Sequence, residues 1–239
     1  CKPYIEWHIP KELKTKAIQI IYSGGAYEVN NPDGFEAAPI RRYLNEKGMA
    51  VVTLKYRTPR PGKGLAKHTT AWQDLQRAIR IVRSEAAQKG LDPERIGIMG
   101  SSAGGHLAST AATHFTSETR PDFQILFYPV VTMTEYTHQG SKDNLLSKNP
   151  SDELVKLYSN ELQVNEQTPP AFIMHSSDDN VVPVLNSINY YLDMCKKGVS
   201  ATMHFYPVGG HGWGYNDSFP YKSQWKDEME KWLREINRE

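Results

Sequence analysis

Gly100-Ser101-Ser102-Ala103-Gly104 fits G-x-S-x-G and directly follows the apolar run Arg95 to Met99, which reads as a buried strand. A serine at the tip of a sharp strand-to-helix turn holds strained backbone angles, and small neighbours let strand and helix close on either side of it. Ser102 is therefore the candidate nucleophile. Ser101 does not fit that role, because its register would need glycine where Met99 and Ala103 stand. The pattern alone arises by chance in on the order of one chain in ten of this length, so three further stretches carry the reading.

Upstream, the strand-like run Ala17 to Ile21 leads into Tyr22-Ser23-Gly24-Gly25-Ala26-Tyr27. A glycine-rich turn at a strand end exposes backbone N–H groups. Acyl transfer through a tetrahedral intermediate needs two such donors, and here Gly25 or Ala26 would join Ala103, the residue after the nucleophile. Downstream, Ala171 to Met174 reads as a strand that delivers Asp178 and Asp179 just past its end. Either could accept a hydrogen bond from the far nitrogen of a catalytic histidine, leaving the other to cap the helix expected from Pro183. Last, Val208-Gly209-Gly210-His211-Gly212-Trp213-Gly214 follows the strand Ala201 to Tyr206. Flanking glycines let that loop carry His211 toward a neighbour, and the chain order Ser, Asp, His is the one used by α/β-hydrolases.

Several stretches match a known family over nearly the whole chain. They are Ser23-Gly24-Gly25-Ala26-Tyr27, Lys55-Tyr56-Arg57, Ala71 to Ala78, Gly90 to Gly100, Ala103-Gly104-Gly105-His106-Leu107-Ala108 and Gly209-Gly210-His211-Gly212. On these the chain resembles the α/β-hydrolase carbohydrate esterases, in particular the acetyl xylan esterase-like enzymes of bacterial polysaccharide degraders. Comparison with the family string Asp-x-Val-Val-Pro selects Asp179 as the acid. Ala26 stands where the family has a third glycine, which keeps the N–H donor but sets a Cβ against any positive φ. Ser23 replaces a proline or histidine often found before the turn. The resemblance implies a serine esterase that takes short acyl groups, acetyl above all, from carbohydrate esters such as acetylated xylan or its oligosaccharides, without a cofactor.

The 239 residues suit one α/β domain able to bury roughly 70 to 75% of its unfolded surface. With 28 Lys plus Arg against 27 Asp plus Glu, the net charge of +1 gives no steering toward nucleic acid or anionic lipid. No apolar run approaches the ~18 residues of a membrane span. Two cysteines are too few for a disulfide scaffold. Cys1 could be the lipid-modified cysteine of a bacterial lipoprotein. A strand starting at Tyr4 leaves no tether, however, so Cys1 reads as a plain start, with secreted, periplasmic and lipid-anchored locations all open. The eight histidines show no H-E-x-x-H or comparable ligand spacing, so no metal is expected. Gly62-Lys63-Gly64 reads as a surface loop rather than a phosphate cradle, and His106 as a packed helix residue.

Strands are expected at Tyr4 to Ile9, Ala17 to Tyr22, Ala50 to Tyr56, Arg95 to Met99, Phe123 to Tyr128, Ala171 to His175 and Ala201 to Tyr206. Helices are expected at Gly34 to Lys47, Thr70 to Lys89, Gly104 to Ala112, Pro183 to Lys197 and Lys222 to Asn237. Alternation of the two types gives an α/β fold with a mostly parallel sheet and helices on both faces. In the second helix Thr70 and Gln73 fit a capping box, while Leu75, Ile79 and Val82 share a face; in the last, Trp225, Met229, Trp232 and Ile236 form a core stripe. Residues 1–239 read as a single domain with a polar, pocket-shaping insertion at 132–170 carrying a short helix at Asp152 to Tyr158. Tyr27, Trp213 and Tyr215 follow the oxyanion turn and His211, and are expected at the pocket rim, where flat rings suit sugar faces. Two alternatives are a prolyl oligopeptidase-like serine peptidase, for which the chain lacks room for a gating domain, and a non-catalytic hydrolase-fold binding protein. Oligomeric state is not legible.

Overall fold

Alternating apolar positions set the central sheet between two cores. In the strand Ile18–Tyr22 (β2), Ile18, Ile20 and Tyr22 join the core on one side, and Ile21 joins the core on the other. The structure is a computed structural model and describes residues 2–59 and 66–237. Cys1 and Gly62-Lys63-Gly64 lie outside the described residues.

The remaining strands are Tyr4–His8 (β1), Ala50–Lys55 (β3), Ile96–Ser101 (β4), Phe123–Phe127 (β5), Ala171–Ser176 (β6) and Ala201–Tyr206 (β7). They form one seven-stranded sheet in the order β1-β3-β2-β4-β5-β6-β7. Only β1 runs antiparallel, pairing with β3 at one edge. The helices are Ala38–Glu46 (α1), Thr70–Ala86 (α2), Ala103–Thr113 (α3), Gln139–Leu146 (α4), Asp152–Leu157 (α5), Leu185–Lys196 (α6) and Lys222–Asn237 (α7). On one face, Leu75, Ile79 and Val82 of α2, Leu107 of α3 and Tyr190 of α6 pack against Ile20, Ile98 and Ile173. On the other, Tyr43 and Leu44 of α1 and Trp225, Met229 and Trp232 of α7 pack against Met99, Phe127 and Phe172. Burying each of these large side chains contributes about 1.5 to 3 kcal/mol.

Local signals misplace a few boundaries. No capping box forms at Thr70, because a 3₁₀ turn at Lys67–Thr69 precedes α2 and makes Thr69 the flanking residue, with no side-chain cap. The helix expected from Gly34 begins only at Ala38, with proline in its first turn and the Gly34 carbonyl accepting from the N–H of Ala37 and Ala38. Neither Asp178 nor Asp179 caps α6, which starts at Leu185 after Val184. The connection 132–170 holds a helix, α4, that its polar sequence concealed.

Every residue of α3 is buried, which explains its run of small side chains. His106 is the exception in size and polarity, and its ring is fully satisfied. Because the Tyr158 carbonyl can only accept, Nε2–H donates to it at 2.8 Å, and Nδ1 accepts from the Tyr27 hydroxyl at 2.8 Å. Burial, with a smaller contribution from His114, pushes the imidazole pKa down from 6.5 to about 4, against the opposing hydrogen bond to Tyr158. The unfolded chain therefore binds the extra proton first, and stability is lost as pH falls from about 6.5 toward 4. Urea unfolding at pH 7.5 and 4.5 should show a decline in stability that is smaller in His106→Gln by about 2 to 3 kcal/mol. Equal declines in both proteins would contradict this origin.

Candidate active site

Ser102 sits between β4 and α3 at φ +53° and ψ −121°, a strained combination for any residue with a side chain. The surroundings enforce it. Ser102 N–H donates to Phe127 O at 3.0 Å, and Ser102 O accepts from Val130 N–H at 3.0 Å, fixing the turn to the end of β5. A Cβ on Gly100 would stand 2.1 Å from the Gly104 carbonyl oxygen, and one on Gly104 would stand 2.7 Å from Ser23 O. Both glycines of the G-x-S-x-G are thus needed for close backbone approach.

His211 Nε2 lies 2.9 Å from Ser102 Oγ, and His211 Nδ1 lies 2.7 Å from Asp179 Oδ2. The three residues come from the β4–α3 turn, the β7–α7 loop and the loop after β6, all at the C-terminal edge of the parallel strands. Asp179 Oδ1 accepts from the N–H of Val181 and Val182, each at 2.9 Å. Burial works to raise the Asp179 pKa, but hydrogen bonds from His175 and His211 and from Val182 N–H outweigh it and hold the carboxyl well below the usual range. It is ionised at any pH where a histidine is neutral. Asp178 points elsewhere. Its carboxylate accepts from Gly209 N–H at 3.2 Å and Gly210 N–H at 2.8 Å, which ties down the loop bearing His211.

Ala26 adopts φ +53° despite its Cβ, as does Tyr27 at +61°, while Gly25 is at +107°. The expected resistance of Ala26 to positive φ is thus overcome by its setting. Asn144 of α4 donates to Ala26 O at 2.9 Å, and the Gly25 carbonyl accepts from the N–H of Glu28 and Val29. Among the described residues, no protein acceptor is recorded for the N–H of Gly25, Ala26 or Ala103. Gly24 N–H is engaged by Glu36 Oε2 at 3.0 Å and Ser101 Oγ at 3.2 Å. Ala103 opens α3, so its N–H also lies at the positive end of the helix dipole.

The aromatic residues expected at the rim lie elsewhere. Tyr27 is 1% exposed, because its hydroxyl is drawn inward to His106. Trp213 is 4% exposed and stacks on Phe219 at 4.1 Å and 6°. Tyr215 turns toward α1 and α7, packing on Tyr43 and Trp225 beneath Lys222. Val29 and Phe35, which follow the Ser23–Tyr27 turn in sequence, are 61% and 64% exposed.

Sequence reasoning passed over several residues here. Glu36 joins two sides of the site, because its other oxygen accepts from the Tyr128 hydroxyl at 3.0 Å, and the Tyr128 ring meets His211 edge-on at 4.8 Å. Burial and then the Glu36 charge raise the Tyr128 phenol pKa well above its usual value, so it remains a donor. His138, at the start of α4, feels the charges of His211 and Asp179, although burial is the main cause of its lowered pKa. None of these carries a local pattern. Only the position of Tyr128 at the end of a core strand could have drawn notice.

A mostly parallel sheet bearing a serine on a strained strand-to-helix turn, with an acid and a histidine on later loops, defines an α/β-hydrolase. The chain belongs to the BD-FAE family, whose model matches residues 5–194. It is 37% identical over 235 residues to an acetylxylan esterase of Xylanibacter ruminicola, covering 95% of this chain and 47% of that protein. Identity to endo-1,4-beta-xylanase B of Butyrivibrio fibrisolvens is 34% over 212 residues, covering 84% of this chain and 33% of that protein. The chain thus spans a third to about half the length of these curated relatives. The crystal structure of an acetyl ester-xyloside bifunctional hydrolase from Caldicellulosiruptor lactoaceticus matches with a TM-score of 0.91 at 37% identity, over 98% of this chain and 88% of that one.

Trp213 serves as packing, so Trp213→Ala should cost about 3 to 5 kcal/mol and lower Tm by roughly 10 °C. Activity on p-nitrophenyl acetate and on acetylated xylo-oligosaccharides should fall by the same factor. A selective rise in KM for the saccharide at unchanged Tm would return the ring to the rim.

Proposed function

We propose that this chain is a serine esterase that removes acetyl groups from acetylated xylan or its oligosaccharides. The observation that carries the reading is the continuous hydrogen-bond chain Asp179 Oδ2, His211 Nδ1, His211 Nε2, Ser102 Oγ at 2.7 and 2.9 Å. The names of the relatives support the acetyl and xylan parts.

In this reading Ser102 Oγ attacks the ester carbonyl carbon as His211 Nε2 takes its proton, and Asp179 stabilises the imidazolium that forms. The oxyanion accepts from Ala103 N–H and from Gly25 or Ala26 N–H. Each such donor contributes about 3 to 4 kcal/mol to the transition state. On collapse, the bond between the acyl carbon and the sugar oxygen breaks, and His211 gives its proton to that departing oxygen, which leaves as the free sugar hydroxyl. Water, deprotonated by His211, then attacks the acetyl-serine, and acetate leaves as Ser102 recovers its proton. Residues 1–239 act as one domain, and the excursion 132–170 shapes the pocket. The Asn144 bond to Ala26 and the proximity of His138 to His211 support that role.

Ser102→Ala should lower kcat on p-nitrophenyl acetate and acetylated xylan by up to about a millionfold, and Asp179→Asn by roughly ten-thousandfold. Ser101→Ala, which loses one of two acceptors for Gly24 N–H, should fall only a few-fold, by roughly the worth of one hydrogen bond. A peptide p-nitroanilide should not be cleaved. Greater damage from Ser101→Ala than from Ser102→Ala would reject the reading, and selective peptide cleavage would favour a peptidase.

A further inference from the structure

His175, the next-to-last residue of β6, is wholly buried. Its Nε2 lies 3.0 Å from Val182 O and 3.2 Å from Asp179 Oδ2, and its Nδ1 lies 2.8 Å from Ser187 Oγ in α6. A carbonyl oxygen only accepts, so Nε2 carries a proton. Among the described residues, Nδ1 is the only acceptor recorded within reach of the Ser187 hydroxyl, so Ser187 donates to it. Both assignments follow from the hydrogen-bond network and give a neutral ring in a single tautomer.

We propose that His175 is a positioning residue: a second imidazole whose Nε2–H clamps Asp179 so that its Oδ2 addresses His211. The inference rests on the assignment of Asp179 as the catalytic acid. The carboxylate is held at both oxygens. The backbone N–H of Val181 and Val182 fix Oδ1, and His175 shares Oδ2 with His211. Rotation about the Asp179 side chain would break His175's bond together with the two backbone bonds, so the orientation of His211 is set by the fold rather than by His211 itself. The Ser187 hydroxyl, by donating to Nδ1, fixes the ring with Nε2–H toward Asp179 and strengthens that N–H as a donor. The other charged or titratable groups facing this centre are His138, near His211 and Asp179, and Tyr128 with Glu36 behind it. Asp178 faces the Gly209 and Gly210 amides instead.

The test compares His175→Phe, His175→Gln and Ser187→Ala, each alone and combined with Asp179→Asn, by kcat, KM and the pH dependence of kcat/KM on p-nitrophenyl acetate. His175→Phe should lower kcat about 10- to 100-fold, the range for losing a hydrogen bond to a charged group, with KM nearly constant. The acid limb of kcat/KM should move to higher pH, because a carboxylate deprived of one donor holds the proton of His211 more tightly. His175→Gln, which can offer an N–H, should restore much of kcat. Ser187→Ala should move the acid limb the same way by a smaller step, and it carries the test if His175→Phe does not fold. In the Asp179→Asn background, His175→Phe should cost nothing further. An unmoved acid limb, or a kinetic loss that adds in full to that of Asp179→Asn, overturns the proposal. Full activity in Asp179→Asn alone would overturn the triad assignment, and the clamp with it.

Discussion

The Ser102 turn has no space for one additional carbon atom, and the rest of the site is arranged around that fit. Gly100 and Gly104 touch across the turn, a Cβ on Gly24 would stand 2.9 Å from Ser102 Cβ, and one on Gly105 would stand 2.5 Å from Pro129 Cβ. Because β4 lies at the centre of the sheet, between β2 and β5, its neighbours bring their own C-terminal ends to the same place. From β2 comes the turn with Gly25 and Ala26, and from the last residue of β5 and the segment after it come the two backbone bonds that hold Ser102 at φ +53°. Strain of this kind costs of order 1 to 3 kcal/mol and persists only where the surroundings over-determine it. Here two packed faces of sheet supply that support.

Two carboxylates organise the electrostatics around the turn. Asp179 keeps its charge although burial opposes it, since N–H groups from two loops and a strand surround it. Glu36 spans the other flank, joining the backbone of the oxyanion turn at Gly24 to the Tyr128 ring beneath His211. In the proposed reaction the base and the oxyanion donors would thereby be tied to one rigid bridge, so that neither would have to reorganise as charge develops. A displacement of α1, which begins just after Glu36, would reach both at once.

The fold was largely legible because its signals are repetitive. The apolar strand runs are buried on both faces, and the stripe of Leu75, Ile79 and Val82 and that of Trp225, Met229 and Trp232 bury the faces they suggest. Pairing of Ser102, Asp179 and His211 was legible for another reason: each follows a strand end, and parallel strands gather their ends on one edge. The failures are equally physical. Trp213 follows His211 closely in sequence, but Gly212 and Gly214 both take positive φ and the chain turns the ring under the loop onto Phe219. Tyr27 follows the oxyanion turn, yet at φ +61° its side chain heads for His106. Glu36 and Tyr128 bond across distant segments, to which local pattern is blind, whereas His175 meets Asp179, Val182 and Ser187 within a dozen positions, a nearness that no motif marks. The match to the family model ends at residue 194, so the placement of His211 rests on geometry.

Covalent trapping of the serine tests the central claim most directly. Incubation with a fluorophosphonate, followed by proteolysis and mass spectrometry, should give one stoichiometric adduct on Ser102, with inactivation in step with labelling. In His211→Ala the rate of labelling should collapse, because the hydroxyl then has no base. Labelling of Ser101, adducts scattered over several serines, or labelling indifferent to His211 would contradict the account.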